Sequence, residues 1–192
     1  MNSGVPTTER QVAQALWREA RERMAQGELA VAVRLAERAR AAFWRAGEIE
    51  HACSAACLES RVRTRLGQTA AAREALLWAA DQATRRGLRP LLLTVRTDLA
   101  ALDEASGDLS GALAAHRDVL AQQQALGNRA GSAVAAANIG RLLTRVSPGL
   151  AGEARTLLGQ ALGQFLADGH VDAAANARIC LGDLEQIGRA HV

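Results

Sequence analysis

The sequence predicts an all-α protein, an α-solenoid of stacked antiparallel helical hairpins with about nine helices. Glycines recur at a constant step of twenty residues, at positions 27, 47, 67, 87, 107 and 127. Between them, apolar residues recur at helical spacing, and Ala and Leu supply most of the apolar fraction while aromatic residues are only 3%, which favours close-packed helices over strands. Because a helix packs against its neighbour only after the chain reverses, the structural repeat is two steps, a forty-residue hairpin.

The stretch 107–127 has this pattern in its clearest form. Gly107 closes one helix, Asp108 caps the next, and Gly127 ends it. The same assignment divides the rest of the chain into helices of equal length.

Taken in order, the elements are four hairpins and a terminal helix. The first helix begins at a capping box, Thr8–Gln11, just after Pro6. Pro90 falls in the first turn of the fifth helix, where its missing N–H costs nothing, and Ser147-Pro148-Gly149 lengthens a later turn by two residues. The sequence predicts a disordered tail at 1–7 and one domain at 8–188, with hairpins at about 8–46, 48–86, 88–126 and 128–168 and a terminal helix at 171–188.

Composition limits the classes of function. All 23 basic residues of the Lys+Arg total are Arg, and the net charge is only +3, so no general attraction to nucleic acid follows. The three cysteines are odd in number and argue against a disulfide framework. We find no charged leader with an apolar run behind it, and no stretch approaching the ~18 apolar residues of a membrane span. We therefore expect a soluble cytoplasmic protein that binds neither nucleic acid nor membrane.

Small residues recur when the forty-residue units are overlaid. They occupy one place in the first helix of each pair and one in the second, namely Ala20, Ser60, Ala100 and Gly140, and Ala32, Ala72, Ala112 and Ala154. Small side chains at such places let two helix axes approach to ~8 Å. The tetratricopeptide repeat (TPR) has this feature, and Ile139-Gly140, Gly107-Asp108 with Ala112, and Leu181-Gly182 resemble its signature.

The units depart from the usual 34-residue TPR with its Pro after the second helix, since these are forty residues long and end in Gly. They look more like the long-helix variety found in the sensor regions of bacterial transcription activators and of peptide-responsive regulators. Glu19 and Glu59 also stand where the later units have Leu99, Ile139 and Leu181.

The resemblance implies a ligand groove. In arrays of this family the first helices of the hairpins line a concave surface that holds a peptide or a partner helix. Arg21, Arg61 and Arg141 share one repeat position, and Arg65 and Arg145 share another. Guanidinium groups in a row attract carboxylates through charge-assisted hydrogen bonds. The predicted binding residues are Trp17, Arg21, Arg61, Arg65, Asn138, Arg141 and Arg145, with Cys57, Thr97 and Ala137 beside them.

The alternative for the arginines is an ordinary solvated helix surface, since Arg is scattered along the whole chain. Asn138 matches the place where the family often uses Asn to hydrogen-bond the backbone of an extended peptide. The Lys residues of the family's carboxylate clamp are absent, which argues against a C-terminal chaperone tail as the ligand.

The sequence gives less support to a metal site or to a role for the histidines and tryptophans in binding. His51, Cys53 and Cys57 share one helix, but a zinc site needs about four ligands, so we expect buried structural cysteines. His116 is expected to pack in a hairpin seam. Trp44 and Trp78 either pack in the core or mark an outward docking patch.

We therefore expect a non-catalytic module, without cofactor or metal, that binds an acidic peptide or helix of another protein in its concave groove. The alternatives are a regulatory sensor that responds to a peptide or small ligand, and a scaffold that self-assembles, as a homodimer, through its terminal helix and the tryptophans.

Overall fold

The computed structural model describes the backbone of residues 7–146 and 148–190. That part of the chain contains nine α-helices, one short 3-10 helix and no strand. The helices are α1 (Thr7–Ala25), α2 (Leu29–Arg45), α3 (Ile49–Arg65), α4 (Thr69–Arg85), α5 (Arg89–Ala105), α6 (Leu109–Ala125), α7 (Arg129–Val146), α8 (Ala151–Ala167) and α9 (Val171–Ala190). The predicted all-α class and helix number are confirmed.

The N-terminal predictions are tested only in part. α1 begins at Thr7, one residue inside the predicted tail. The rest of the tail, Pro6 and the Thr8 side chain of the predicted capping box lie outside the described residues. Among the described helices, none is long and apolar enough to cross a bilayer.

Each glycine of the twenty-residue ladder ends a helix in the left-handed region. Gly47 is representative, with φ +72°. Its N–H donates to the Trp44 carbonyl at 3.1 Å, and the N–H of Glu48 donates to the Phe43 carbonyl at 2.9 Å. These two bonds make a Schellman motif, which satisfies the last carbonyls of the helix and turns the chain back. Gly169 continues the ladder two residues late, after the 3-10 helix Pro148–Leu150.

Side-chain caps at helix starts are few. The Asp108 carboxylate accepts the N–H of Gly111 at 2.8 Å, and the Asn128 side-chain carbonyl accepts that of Gly131 at 3.0 Å. Glu28, at the start of α2, makes no side-chain cap. The C-terminal glycine is therefore the device common to the repeats.

The small residues predicted at hairpin contacts are buried at both repeat positions. Gly140 shows why size matters, since a Cβ there would lie 2.7 Å from the Leu158 Cγ and 3.2 Å from the Ala154 carbonyl oxygen. By contrast, Gly159 and Gly163 face open space, with nothing within 4 Å.

The chain divides into two compact units, Met1–Ser106 and Gly107–Val192. In unit 1, consecutive helices pack pairwise and α3 also contacts α1 and α5. In unit 2, α6 to α9 pack pairwise and α7 also contacts α9. We call the surface of unit 1 formed by α1, α3 and α5, and that of unit 2 formed by α7 and α9, the odd-helix face of each unit. The division falls between the helices of the hairpin predicted at 88–126, so that pairing and the single domain at 8–188 stay predictions.

One buried charge interrupts the apolar seam of unit 1. Glu59 of α3 is 2% exposed and stands at a repeat position that Ile139 fills later in the chain. Its carboxylate oxygens lie 3.1 Å from Arg40 Nε of α2 and 2.9 Å from Arg63 Nε, and Arg63 also contacts Glu37. Burial raises the pKa of Glu59, while the two guanidinium groups oppose that rise.

Glu59→Gln is expected to lower the free energy of unfolding by about 3 kcal/mol, because it leaves two half-buried guanidinium groups without their carboxylate. Glu19→Gln is the matched control at the same repeat position, since Glu19 is 47% exposed and lies 3.6 Å from Arg23. It should cost less than about 0.5 kcal/mol. Urea denaturation followed by circular dichroism measures both, and equal losses would contradict a buried, paired Glu59.

Gly47→Ala is expected to lower the free energy of unfolding by about 1 kcal/mol, because Ala resists a positive φ. Gly159→Ala, in the open middle of α8, should raise it by up to about 1 kcal/mol through helix propensity. Thermal and urea unfolding of the two variants tests the sign. A stabilising Gly47→Ala would mean that the ladder glycines do not hold the helix ends.

Candidate ligand-binding site

A hollow of about 280 Å³ lies on the odd-helix face of unit 1, and we call it the first hollow. It is lined by Met24 of α1, by residues of α3 that include Arg61 and Arg65, and by Asp98 and Leu102 of α5. Two of the predicted binding residues, Arg61 and Arg65, therefore meet at one place.

Arg61 is held there by a carboxylate on the neighbouring odd helix. Its Nε donates to Asp98 Oδ1 at 3.0 Å, and its Nη2 donates to Oδ1 at 2.8 Å and to Oδ2 at 3.1 Å. The Arg61 side chain remains 56% exposed while that of Asp98 is 10% exposed. The cation thus faces the hollow with its charge already matched by an internal anion.

The Cys57 thiol lies against the same carboxylate. Burial raises the pKa of this thiol, and so does the negative charge of Asp98. Burial also raises the pKa of Asp98, against the opposing effect of Arg61. A thiol in such surroundings stays protonated and is a poor nucleophile.

Arg65 donates from Nη1 to the Met24 carbonyl near the C-terminus of α1, at 3.0 Å. On the same helix, Trp17 is half-buried and the Arg21 guanidinium lies 5.1 Å from its ring centroid, within cation–π range. The Trp17 indole Nε1 is buried with no hydrogen-bond partner among the described residues. Neither Trp17 nor Arg21 lines the first hollow.

A second hollow, of about 340 Å³, lies on the odd-helix face of unit 2. It brings together the predicted residues Ala137, Asn138 and Arg141 of α7. Its remaining walls come from α8 and α9 and are mostly apolar, namely Leu158, Phe165, Ala173, Asn176, Ala177, Ile179 and Cys180, with Val134 of α7 at the edge. Arg145 lies one turn beyond on α7, exposed, and does not line this hollow.

The polar residues of these hollows that were not predicted as binding residues are Ser60, Thr64, Asp98, Asn176 and Cys180. Asp98 carries a detectable signal, because it lies forty residues before Asn138 and so shares its repeat position. Cys180 holds that position in the last unit once the two added turn residues are counted. Asn176 has no such counterpart, and only the packing of α9 against α7 brings it beside Asn138.

The remaining sequence candidates are placed elsewhere. Cys53 and Cys57 are both buried, as predicted, and His116 is fully buried. Trp78 packs against the core of unit 1, whereas Trp44 is 40% exposed and meets it edge to face at 5.4 Å. No cluster of three or more His, Cys, Asp or Glu side chains suited to a metal occurs among the residues described.

The chain matches no protein-family model and no curated protein. It is similar to the solved structure of a Podosopora anserina protein described as a kinesin light chain with nearly identical TPR-like repeats, at 19% identity over 95% of this chain and 89% of that chain, with a TM-score of 0.65. A point variant of that protein gives 18% identity, 97% and 90% coverage and a TM-score of 0.66. BtubC (BKLC) from P. vanneervenii gives 18% identity, 97% and 93% coverage and a TM-score of 0.54.

Removing the Asp98 carboxylate should change how stability depends on pH. An acid whose pKa is higher in the folded state binds more protons folded than unfolded, so its contribution to the free energy of unfolding falls as pH rises from the unfolded pKa through the folded one. Wild type should therefore lose stability relative to Asp98→Asn as pH rises from about 4, and the difference should level off above the folded pKa. Urea denaturation at a series of pH values measures it. If wild type instead becomes more stable relative to Asp98→Asn as pH rises, the effect of Arg61 on the Asp98 pKa is larger than the effect of burial.

Proposed function

We infer that this chain, whose fold is that of the TPR-like repeat proteins, is a non-catalytic interaction module that binds an acidic segment of a partner protein on its odd-helix faces. The observation that carries the proposal is the position of predicted residues in two separate hollows, Arg61 and Arg65 in one and Asn138 and Arg141 in the other. Both hollows lie on odd-helix faces, where arrays of this fold hold their ligands.

The second hollow has the chemistry of a peptide site. Asn138 and Asn176 present carboxamides from neighbouring helices, and a carboxamide can both donate to and accept from a peptide backbone. Phe165 and Ile179 offer apolar walls for a side chain of the bound segment. Arg141 adds a guanidinium suited to a carboxylate.

The first hollow favours an anionic group. It contains two guanidinium groups, Arg61 and Arg65, against the one carboxylate of Asp98. The balance of charge among these lining residues is positive, which favours an acidic segment over a basic one.

The chemistry of the thiols supports a binding role over a catalytic one. Burial raises the pKa of Cys53, Cys57 and Cys180, which disfavours the thiolate that nucleophilic catalysis requires. Arg61 is held by hydrogen bonds to Asp98, an arrangement suited to binding a carboxylate.

A self-assembling scaffold is the second candidate. Exposed apolar side chains favour it, among them Trp44 at 40%, Val171 at 75% and Ile179 at 62%. Assembly through these residues should be insensitive to salt, because apolar contacts are not screened by ions.

Arg61→Ala and Arg141→Ala are each expected to weaken binding of an acidic peptide about tenfold, because each removes a charge-assisted contact. A Trp fluorescence or calorimetric titration with a capped hexaglutamate peptide measures this at low and high salt. Arg85→Ala is the control, since Arg85 lies on the even helix α4, is 72% exposed and pairs with Asp81.

If both Arg61→Ala and Arg141→Ala bind the acidic peptide as tightly as wild type, the proposed site is overturned. Dimerisation that survives high salt, detected by light scattering and lost in Trp44→Ala, would favour the scaffold.

A further inference from the structure

The first hollow already contains a carboxylate bound to its central arginine. Asp98 reaches from α5 to the Nε and Nη2 atoms of Arg61 on α3. This is the two-pronged geometry in which a guanidinium binds a carboxylate most strongly. A ligand carboxylate that seeks the same two donors meets a competitor that belongs to the protein.

The Asp98 carboxylate cannot gain full hydration when it leaves Arg61, because the side chain is almost buried. Asp98 is 10% exposed, and its other neighbour is the buried Cys57 thiol, which offers a weak hydrogen bond and no charge. A carboxylate that lost Arg61 would remain half-desolvated beside an uncharged group. Displacing it therefore costs free energy, and that cost weakens ligand binding.

In unit 2 the repeat position of Asp98 carries a thiol. Arg141 shares the repeat position of Arg61, and Cys180 shares that of Asp98. Cys180 is half-buried and lines the second hollow together with Arg141. A carboxylate at this repeat position is therefore particular to unit 1 and is not a requirement of the repeat.

We propose that Asp98 is an internal competitor in the first hollow, a carboxylate that a ligand carboxylate must replace on Arg61, so that Asp98 lowers the affinity of this hollow for acidic segments. The inference rests on the proposed function, since it assumes that acidic segments bind this face. A neutral segment leaves the Arg61–Asp98 pair intact and gains nothing from Arg61. An acidic segment exchanges one carboxylate for another.

Asp98→Asn is the direct test, because the carboxamide keeps the shape of the side chain and removes its charge. We expect Asp98→Asn to bind capped hexaglutamate about tenfold more tightly than wild type in isothermal titration calorimetry at low salt. Binding of capped hexaglutamine should be unchanged. Asp98→Ser serves as a second variant if circular dichroism shows that the first is unfolded.

Asp103→Asn is the matched control. Asp103 lies on the same helix and pairs with an arginine at 2.6 Å, but that arginine is Arg73 of α4, outside the first hollow. The control removes the same charge from the same helix, so it reports any general effect of net charge. It should leave hexaglutamate affinity within about twofold of wild type.

A double-mutant cycle separates competition from long-range attraction. In the Arg61→Ala background, Asp98→Asn should no longer tighten hexaglutamate binding. Tightening that persists without Arg61, or that equals the effect of Asp103→Asn, would overturn the inference.

Failure of this inference and failure of the proposed function give different results. If Arg61→Ala weakens hexaglutamate binding but Asp98→Asn does not strengthen it, Asp98 is not a competitor for Arg61 and the acidic-ligand site stands. If hexaglutamate binds neither wild type nor Asp98→Asn, the proposed function and this inference are both overturned.

Discussion

The left-handed glycine that follows each of the helices α1 to α6 and α8 is the constraint on which the structure depends. It fixes where a helix stops and, through its paired hydrogen bonds to the preceding turn, it reverses the chain within three residues. The five helices from α2 to α6 are each 17 residues long as a result. Helices of equal length separated by equal turns bring the same repeat position to the same side of each hairpin, which is why side chains at one repeat position share a face within each unit.

The turns set the order of the helices, and small side chains set their separation. Ala residues at the paired repeat positions are buried, and at Gly140 even a methyl group would collide with the facing helix. At two places where an acidic residue breaks the apolar pattern, arginines balance its charge. Glu59 is enclosed by Arg40 and Arg63, and Asp98 by Arg61. The first of these sites lies between an odd and an even helix, whereas the second faces a hollow on the odd-helix face.

Most of the fold could be predicted, because the features that define it are local. A terminating glycine and the helical period that precedes it lie within one stretch of about twenty residues, so the glycine positions read from the sequence agree closely with the helix ends of the structure. The site could be predicted only in part. The repeat register identified Arg61 and Arg141, but it carried no information on which side chain lies opposite each of them. That depends on contacts between helices some forty residues apart, and at this distance Asp98 and Asn176 went unrecognised although both line hollows with predicted residues.

The 3-10 turn at Pro148–Leu150 has a consequence for how such a chain can change in length. One residue added inside a helix rotates everything after it by about 100°, which would turn the buried side chains away from the neighbouring helix. Here two additional residues were accommodated at the junction of α7 and α8: α7 is one residue longer than the 17-residue helices, and four residues instead of three separate it from α8. The α8 helix is again 17 residues long. Insertions and deletions in relatives of this chain should therefore accumulate in the inter-helix turns, or occur as whole hairpins, while the rods themselves keep a constant length.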